Sequence, residues 1–119
     1  LQLYVRLAPE MTGWAAQFDF IETEFAFHEF VPSDFIADFN PLVDTGLKSR
    51  VVVGGVVLGV DNVGEGDGLL GTVKFVVKDG LARSGTIRMT KFSYRPPEGG
   101  ETVVDVLISA VVVRADSGG

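Results

Sequence analysis

Apolar and polar residues alternate along most of this chain with a period of two, the spacing of a strand with one wet face and one buried face. The stretch Phe18 to Phe30, FDFIETEFAFHEF, shows it most densely. It holds five of the nine phenylalanines, separated by acids, a threonine and the single histidine. Trp14, Phe18 and Phe20 share even parity, so Trp14–Glu22 is expected to form one strand with those rings inward. Phe25 and Phe27 fall on odd positions and open the next strand, which continues through His28 to Phe30. A slip of one residue sends each side chain to the opposite face, so a bulge or tight turn near Glu22–Glu24 must absorb the change. The five rings are therefore expected in the core, with Asp19, Glu22, Glu24 and Glu29 outside.

The same pattern continues along the chain. Leu1–Leu7 reads as a strand ended by Ala8-Pro9, and Arg50–Leu58 as a strand with a bulge or a close backbone approach at Gly54-Gly55. Asp61–Gly68, DNVGEGDG, reads as a loop. Leu69–Lys78 is expected to be a strand with Val73, Phe75 and Val77 inward and Thr72, Lys74 and Lys78 outward. A turn at Asp79-Gly80, a strand over Gly85–Tyr94, a hairpin loop over Arg95–Glu101 and a last strand over Thr102–Arg114 complete the series. The only helix signal is the cap Pro32-Ser33-Asp34 before Phe35, Ile36 and Phe39, which predicts one helical turn over Ser33–Ala37. Short β-rich blocks between glycine-rich breaks predict an all-β sandwich of about eight or nine strands. They form one domain over 1–115, followed by a tail or linker stub over 116–119.

Composition narrows the function classes. At 119 residues the chain is long enough to bury a core of its own. It has no cysteine, which excludes disulfides, thiolate chemistry and cysteine metal sites. Mean hydropathy is +0.30, yet the longest near-apolar run, Val51 to Val60, holds three glycines and is about half the length of a membrane helix. No membrane insertion is expected. Opening directly on strand residues, the chain is expected to be a processed or excised piece of something longer. The net charge of −6 argues against nucleic acid. That charge is unevenly spread: Glu10 to Asp44 holds eight acids and no lysine or arginine, whereas Lys48 to Arg114 holds seven acids and nine bases. Such polarity either guides like units head to tail or is simply a solvated acidic surface.

Candidate chemistry is sparse. His28 has neither a cysteine nor a G-x-S-x-G elbow to serve, so it reads as a strand residue. Asp61, Asn62, Glu65 and Asp67 are weak oxygen ligands for calcium, but their spacing does not match the EF-hand loop. Glu22, Glu24 and Glu29 contain the carboxylates a glycosidase pair needs, although alternation already places acids on wet faces. Trp14 with Tyr4 or Tyr94 is the nearest approach to the aromatic strip of a sugar-binding sandwich. No enzyme and no cofactor is expected.

Gly66 to Arg95, GDGLLGTVKFVVKDGLARSGTIRMTKFSYR, together with FDF at Phe18–Phe20 and EFVPSDFIADF at Glu29–Phe39, resembles the cohesin family. The resemblance spans nearly the whole chain and implies a nine-stranded jelly-roll sandwich. Cohesins bind dockerins, calcium-binding helical partners, through one sheet face, and similar modules occur in bacterial and archaeal surface proteins. Two departures stand out. IETEFAFHEF lacks the family's D-P-x-x-L turn, and Leu1 aligns with the family's second strand, so the first strand, which pairs with the last, has no counterpart. Placement by sheet face puts Asp19, Arg50 and Lys74 on the partner side.

Three functions follow as expectations. The first is a non-catalytic protein-binding module, extracellular or at the cell surface, whose partner is dockerin-like or another copy of itself. The second is a structural subunit of a fibre or sheath, a homo-polymer joined by strand complementation. There Val106, Ile108, Val111 and Val113 of the last strand offer an open edge to a strand not supplied by Leu1–Leu7. The third is a carbohydrate-binding module.

Overall fold

Nine antiparallel strands among the described residues build two facing sheets, with no helix. The computed structural model describes residues 2–37, 39–57, 63–79, 84–104 and 110–114. In chain order the strands are β1 (Gln2–Met11), β2 (Gly13–Asp19), β3 (Phe25–Pro32), β4 (Asn40–Leu47), β5 (Arg50–Val56), β6 (Gly64–Val77), β7 (Ser84–Arg95), β8 (Thr102–Val104) and β9 (Ala110–Arg114). The smaller sheet has the order β1-β6-β3; the larger runs β4-β5-β2-β7, with β8 and β9 both pairing β7. The expected all-β sandwich is what the chain forms.

The phenylalanine-rich stretch divides between the two sheets. Even-numbered Trp14, Ala16, Phe18 and Phe20 are buried from β2 onward, whereas Phe25 and Phe30 are buried from β3. Between them the chain crosses from one sheet to the other through a tight turn at residues 22–24. There the amides of Glu24 and Phe25 both donate to the Ile21 carbonyl. A second device reverses the parity change. Phe27 pairs with Phe75 but Glu29 pairs with Lys74, so His28 is the extra residue of a bulge and points to solvent. Phe25 and Phe27 therefore face inward on odd positions, and Phe30 does so on an even one.

Several expectations are corrected. β1 does not stop at Ala8-Pro9 but runs to Met11, with register shifts on both sides of Ala8. Residues 64–68 are not loop but the first part of β6, paired with Ala8 and Met11 of β1. Their glycines make room for an aromatic ring: a Cβ at Gly64 would lie 2.5 Å from Phe35 Cε2, and one at Gly68 would meet the same ring. The helical turn over Ser33–Ala37 does not form. Ser33 does cap, accepting from the Phe35 amide at 3.1 Å, but its hydroxyl also donates to the Leu69 carbonyl. With Phe35 laid on β6, Ile36 buried and Phe39 stacked on Trp14 at 5.8 Å, the apolar side chains anchor in different places and hold the segment open. β4 has no counterpart in the sequence pattern, because all eight of its residues are exposed and none alternates.

The last strand also differs from expectation. Its described parts, β8 and β9, pair with β7 in two registers: Phe92 and Arg88 are four positions apart, while their partners Val104 and Ala110 are six positions apart. β1 pairs with β6, so Leu1–Leu7 does not supply a partner for β9 among the described residues. Val111 and Val113 lie in β9, opposite Ile87 and Gly85; Val106 and Ile108 fall outside the described residues.

Candidate interaction face

Odd-numbered residues of β2 point away from the core, and register then dictates what stands beside them on the larger sheet. Four rows cross its outer face. Asn40, Val56, Gly13 and Arg95 form the first, and Leu42, Gly54, Ala15 and Ser93 the second. Asp44, Val52, Gln17 and Lys91 form the third, and Leu47, Arg50, Asp19 and Arg88 the fourth. A bulge at Thr90 keeps the third and fourth rows aligned, since Gln17 pairs with Lys91 but Phe18 with Met89. The Gln17 side-chain amide donates to the Thr90 hydroxyl at 2.9 Å and ties the bulge down.

The rows differ in height. Gly54, Ala15, Ser93 and Gly13 carry little or no side chain, so they form the floor of a trough of about 590 Å³. Leu42, Val52 and Val56 wall one side, and Arg95 and Glu101 the other. The glycines are also required by the strands themselves. A Cβ at Gly13 would lie 2.8 Å from the Gly55 carbonyl oxygen, and one at Gly55 would run into the Asn40 carbonyl and lie 2.7 Å from the Phe39 ring. Gly54-Gly55 is thus a close backbone approach, with no register shift there between β2 and β5.

Charge is placed beside the trough. Arg50 and Asp19, directly opposite on β5 and β2, form a two-pronged ion pair: Nε to Oδ1 at 2.7 Å and Nη2 to Oδ2 at 3.1 Å. The hydrogen bond and charge of Asp19 raise the Arg50 pKa above its ordinary value, so the guanidinium stays charged at any working pH. Arg88, Lys91 and Arg95 make β7 a basic margin, with Lys91 3.7 Å from Glu101. Asp44 stands on the opposite margin.

The structure brings Asp19 and Arg50 together and leaves Lys74 elsewhere. Lys74 lies on β6 of the smaller sheet, where it faces Glu29 at 3.6 Å. Alternation gives a residue's face but not its sheet, which is why Lys74 was grouped with the other two. The trough was missed because small side chains acquire meaning only once register sets them side by side. Trp14 cannot serve a sugar strip: it is 4% exposed, enclosed by Phe30, Phe39 and Phe92. Tyr94 packs against the same core. Of the calcium candidates, Glu65 and Asp67 are exposed in β6, while Asp61 and Asn62 fall outside the described residues. No group of three metal-ligating side chains occurs among the described residues. His28 and Glu29 are exposed on β3, Glu22 lies in the turn, and Glu24 is half buried with Oε1 enclosed. No described helix is long and apolar enough to cross a membrane.

Similar folds recur in solved structures. A cohesin module of a family 33 glycoside hydrolase from Clostridium perfringens is 17% identical, with a TM-score of 0.71 over 88% of this chain and 73% of that one. The fold is cohesin-like. This cohesin-like domain is similar as well to a non-cellulosomal cohesin from the archaeon Archaeoglobus fulgidus, 16% identical, with a TM-score of 0.69 over 96% of this chain and 77% of that one. A type I cohesin–dockerin complex from Clostridium thermocellum gives 13% identity and a TM-score of 0.69, over 96% and 88% of the two chains. No family model and no curated protein matches the sequence. At these identities it is the cohesin-like fold that is shared.

Proposed function

We propose that this domain is a non-catalytic recognition module, extracellular or at the cell surface, that holds a partner protein on the outer face of its larger sheet. The observation that carries the reading is the four-row face itself, where an apolar trough lies beside the two-pronged Asp19–Arg50 pair and a basic margin on β7. Such a surface combines a desolvated centre with charged surroundings that fix orientation. A dockerin-like module is the first partner class, since cohesin-like neighbours include a cohesin in complex with a dockerin.

The test is calorimetric titration of purified dockerin modules, in calcium buffer, against the chain and its Ala15→Trp variant. The indole fills the trough without touching the core. A partner seated there is expected to lose at least about tenfold in affinity, or about 1.4 kcal/mol. Unchanged binding by Ala15→Trp and by Arg50→Glu together would move the partner off this face.

A second reading rests on a separate observation. Three strands oppose six, and the only partner of β9 among the described residues is β7. The molecule is also long, 48 × 27 × 24 Å. A strand from another copy added along β9 would join subunits into a fibre through main-chain hydrogen bonds. Sedimentation across a concentration series separates the two: growing oligomers support the joint, and a monomer at every concentration removes it.

A further inference from the structure

The sandwich is open along one side, between the edge strands β3 and β4. Val43 pairs with Val53, whose side chain is fully buried, so Val43 points between the sheets; yet it is 45% exposed. Phe27 faces inward opposite Phe75, and both are only half buried. Here a cleft of about 700 Å³ reaches the core rings Phe20 and Phe25, with Phe27, Val43 and Leu47 along its walls. That size lies within the roughly 300–1,000 Å³ typical of small-molecule sites, and its lining is half apolar and half polar or charged. The charged groups at its mouth are mostly cationic. Lys48, Arg50 and Lys78 stand there against one carboxylate, Glu22, in a chain of net charge −6. Arg50 is already held by Asp19, which leaves the two ammonium groups facing outward. Lys78 is steadied by donating to the Glu22 carbonyl at 2.8 Å.

We propose that this lateral cleft is a ligand site in its own right, taking a small amphipathic anion with its aliphatic or aryl tail between the sheets and its carboxylate at Lys48 and Lys78. An added peptide strand fits less well, because neither edge offers an unbroken ladder. β3 has the His28 bulge and ends at Pro32; β4 begins Asn40-Pro41 and shifts register between Asp44 and Leu47. Proline and bulges are devices that blunt an edge against strand addition. The ligand is therefore gripped by side chains. Leu47 and Arg50 border both surfaces, so the test changes only Val43, Lys48 and Lys78, which lie outside the four outer-face rows, and its failure leaves the reading of that face untouched.

The test uses the whole chain and three ten-carbon probes below their micelle-forming range: sodium decanoate, decyltrimethylammonium and decanol. Amide chemical shifts are followed during each titration. Decanoate is expected to give saturable shifts confined to Phe25–Phe27, Val43–Lys48 and Lys78, and to bind at least about tenfold more tightly than the cation, about 1.4 kcal/mol. The exposed double change Lys48→Glu and Lys78→Glu should weaken decanoate by about tenfold while leaving decanol within about twofold. Val43→Asp should weaken all three probes, and an unchanged melting temperature checks that each variant folds. No saturable shift, shifts centred on Gly13, Ala15, Gln17 and Lys91 of the larger sheet's outer face, or equal affinity for anion and cation would each overturn the proposal. So would a site that ignores all three probes and takes only an extended peptide.

Discussion

Trp14→Ala is expected to cost about 3–5 kcal/mol, the range for truncating a large core aromatic. The indole sits at the centre of the sandwich and touches both sheets. It meets Phe30 of β3 edge-on at 5.6 Å, stacks on Phe92 of β7 at 6.1 Å and on Phe39 of the β3–β4 connection at 5.8 Å. Removing it loses the transfer energy of a buried ring, leaves a cavity, and breaks three aromatic contacts worth about 0.5–1.5 kcal/mol each beyond their area. For a domain of this size the loss corresponds to a fall in melting temperature of roughly 10–20 °C. His28→Ala is the matched control. Its side chain is exposed at a bulge, and the change should stay within about 0.5 kcal/mol. Denaturant midpoints compare the two directly. Equal losses would mean that β3 presents the other face to the core.

Gly54→Ala, the addition of one methyl group, is expected to be nearly as damaging, at about 3 kcal/mol, the upper end of overpacking costs. The new Cβ would overlap the Trp14 carbonyl oxygen and lie 2.8 Å from Ala15 Cα. Both are backbone of the neighbouring strand, so no side chain can swing aside, and β2 and β5 must separate. Hydrogen exchange should show the damage locally, as lost protection of β2 and β5 amides ahead of those in β1 and β6. At Gly46 a Cβ meets only the tip of a side chain, Asp44 Oδ1 at 3.2 Å, so Gly46→Ala should cost under about 1 kcal/mol. If the two changes were equal, the close approach at Gly54 would not be the constraint.

These contrasts show which parts of the molecule the sequence discloses. Alternation fixed the inward faces of β2 and β3, because rings and acids differ so much in their cost of burial. It also showed that something must happen between Phe20 and Phe25. It did not disclose that the parity changes twice, at the turn between sheets and again at the His28 bulge, which returns Phe30 to an even position. β4 escaped notice because an edge strand with no buried side chain has no reason to alternate. Residues 64–68 were misread for the opposite reason. Glycines that suggest a loop are here the seat of the Phe35 ring. On the outer face of the larger sheet, the placement by sheet face anticipated that Asp19 and Arg50 lie together, whereas Lys74 needed knowledge of which sheet β6 joins. The trough needed the register of four strands.

The exposure of β4 has a consequence for how such a domain changes over generations. Leu42, Asp44 and Leu47 contribute to the outer face of the larger sheet, yet β4 buries none of its side chains. Under the proposed reading of that face, selection on recognition can act through β4 while the scaffold beneath it stays as it is. Most surface substitutions of this kind shift stability by less than about 0.5 kcal/mol, so many combinations remain open to drift. Ala15 and Gly54, one or two strands away, lack that freedom, because their positions also serve the pairing of β2 with β5. The face thus divides into a conservative floor and a permissive border, and if it holds the proposed partner, lineages that diverge in partner should differ first along β4.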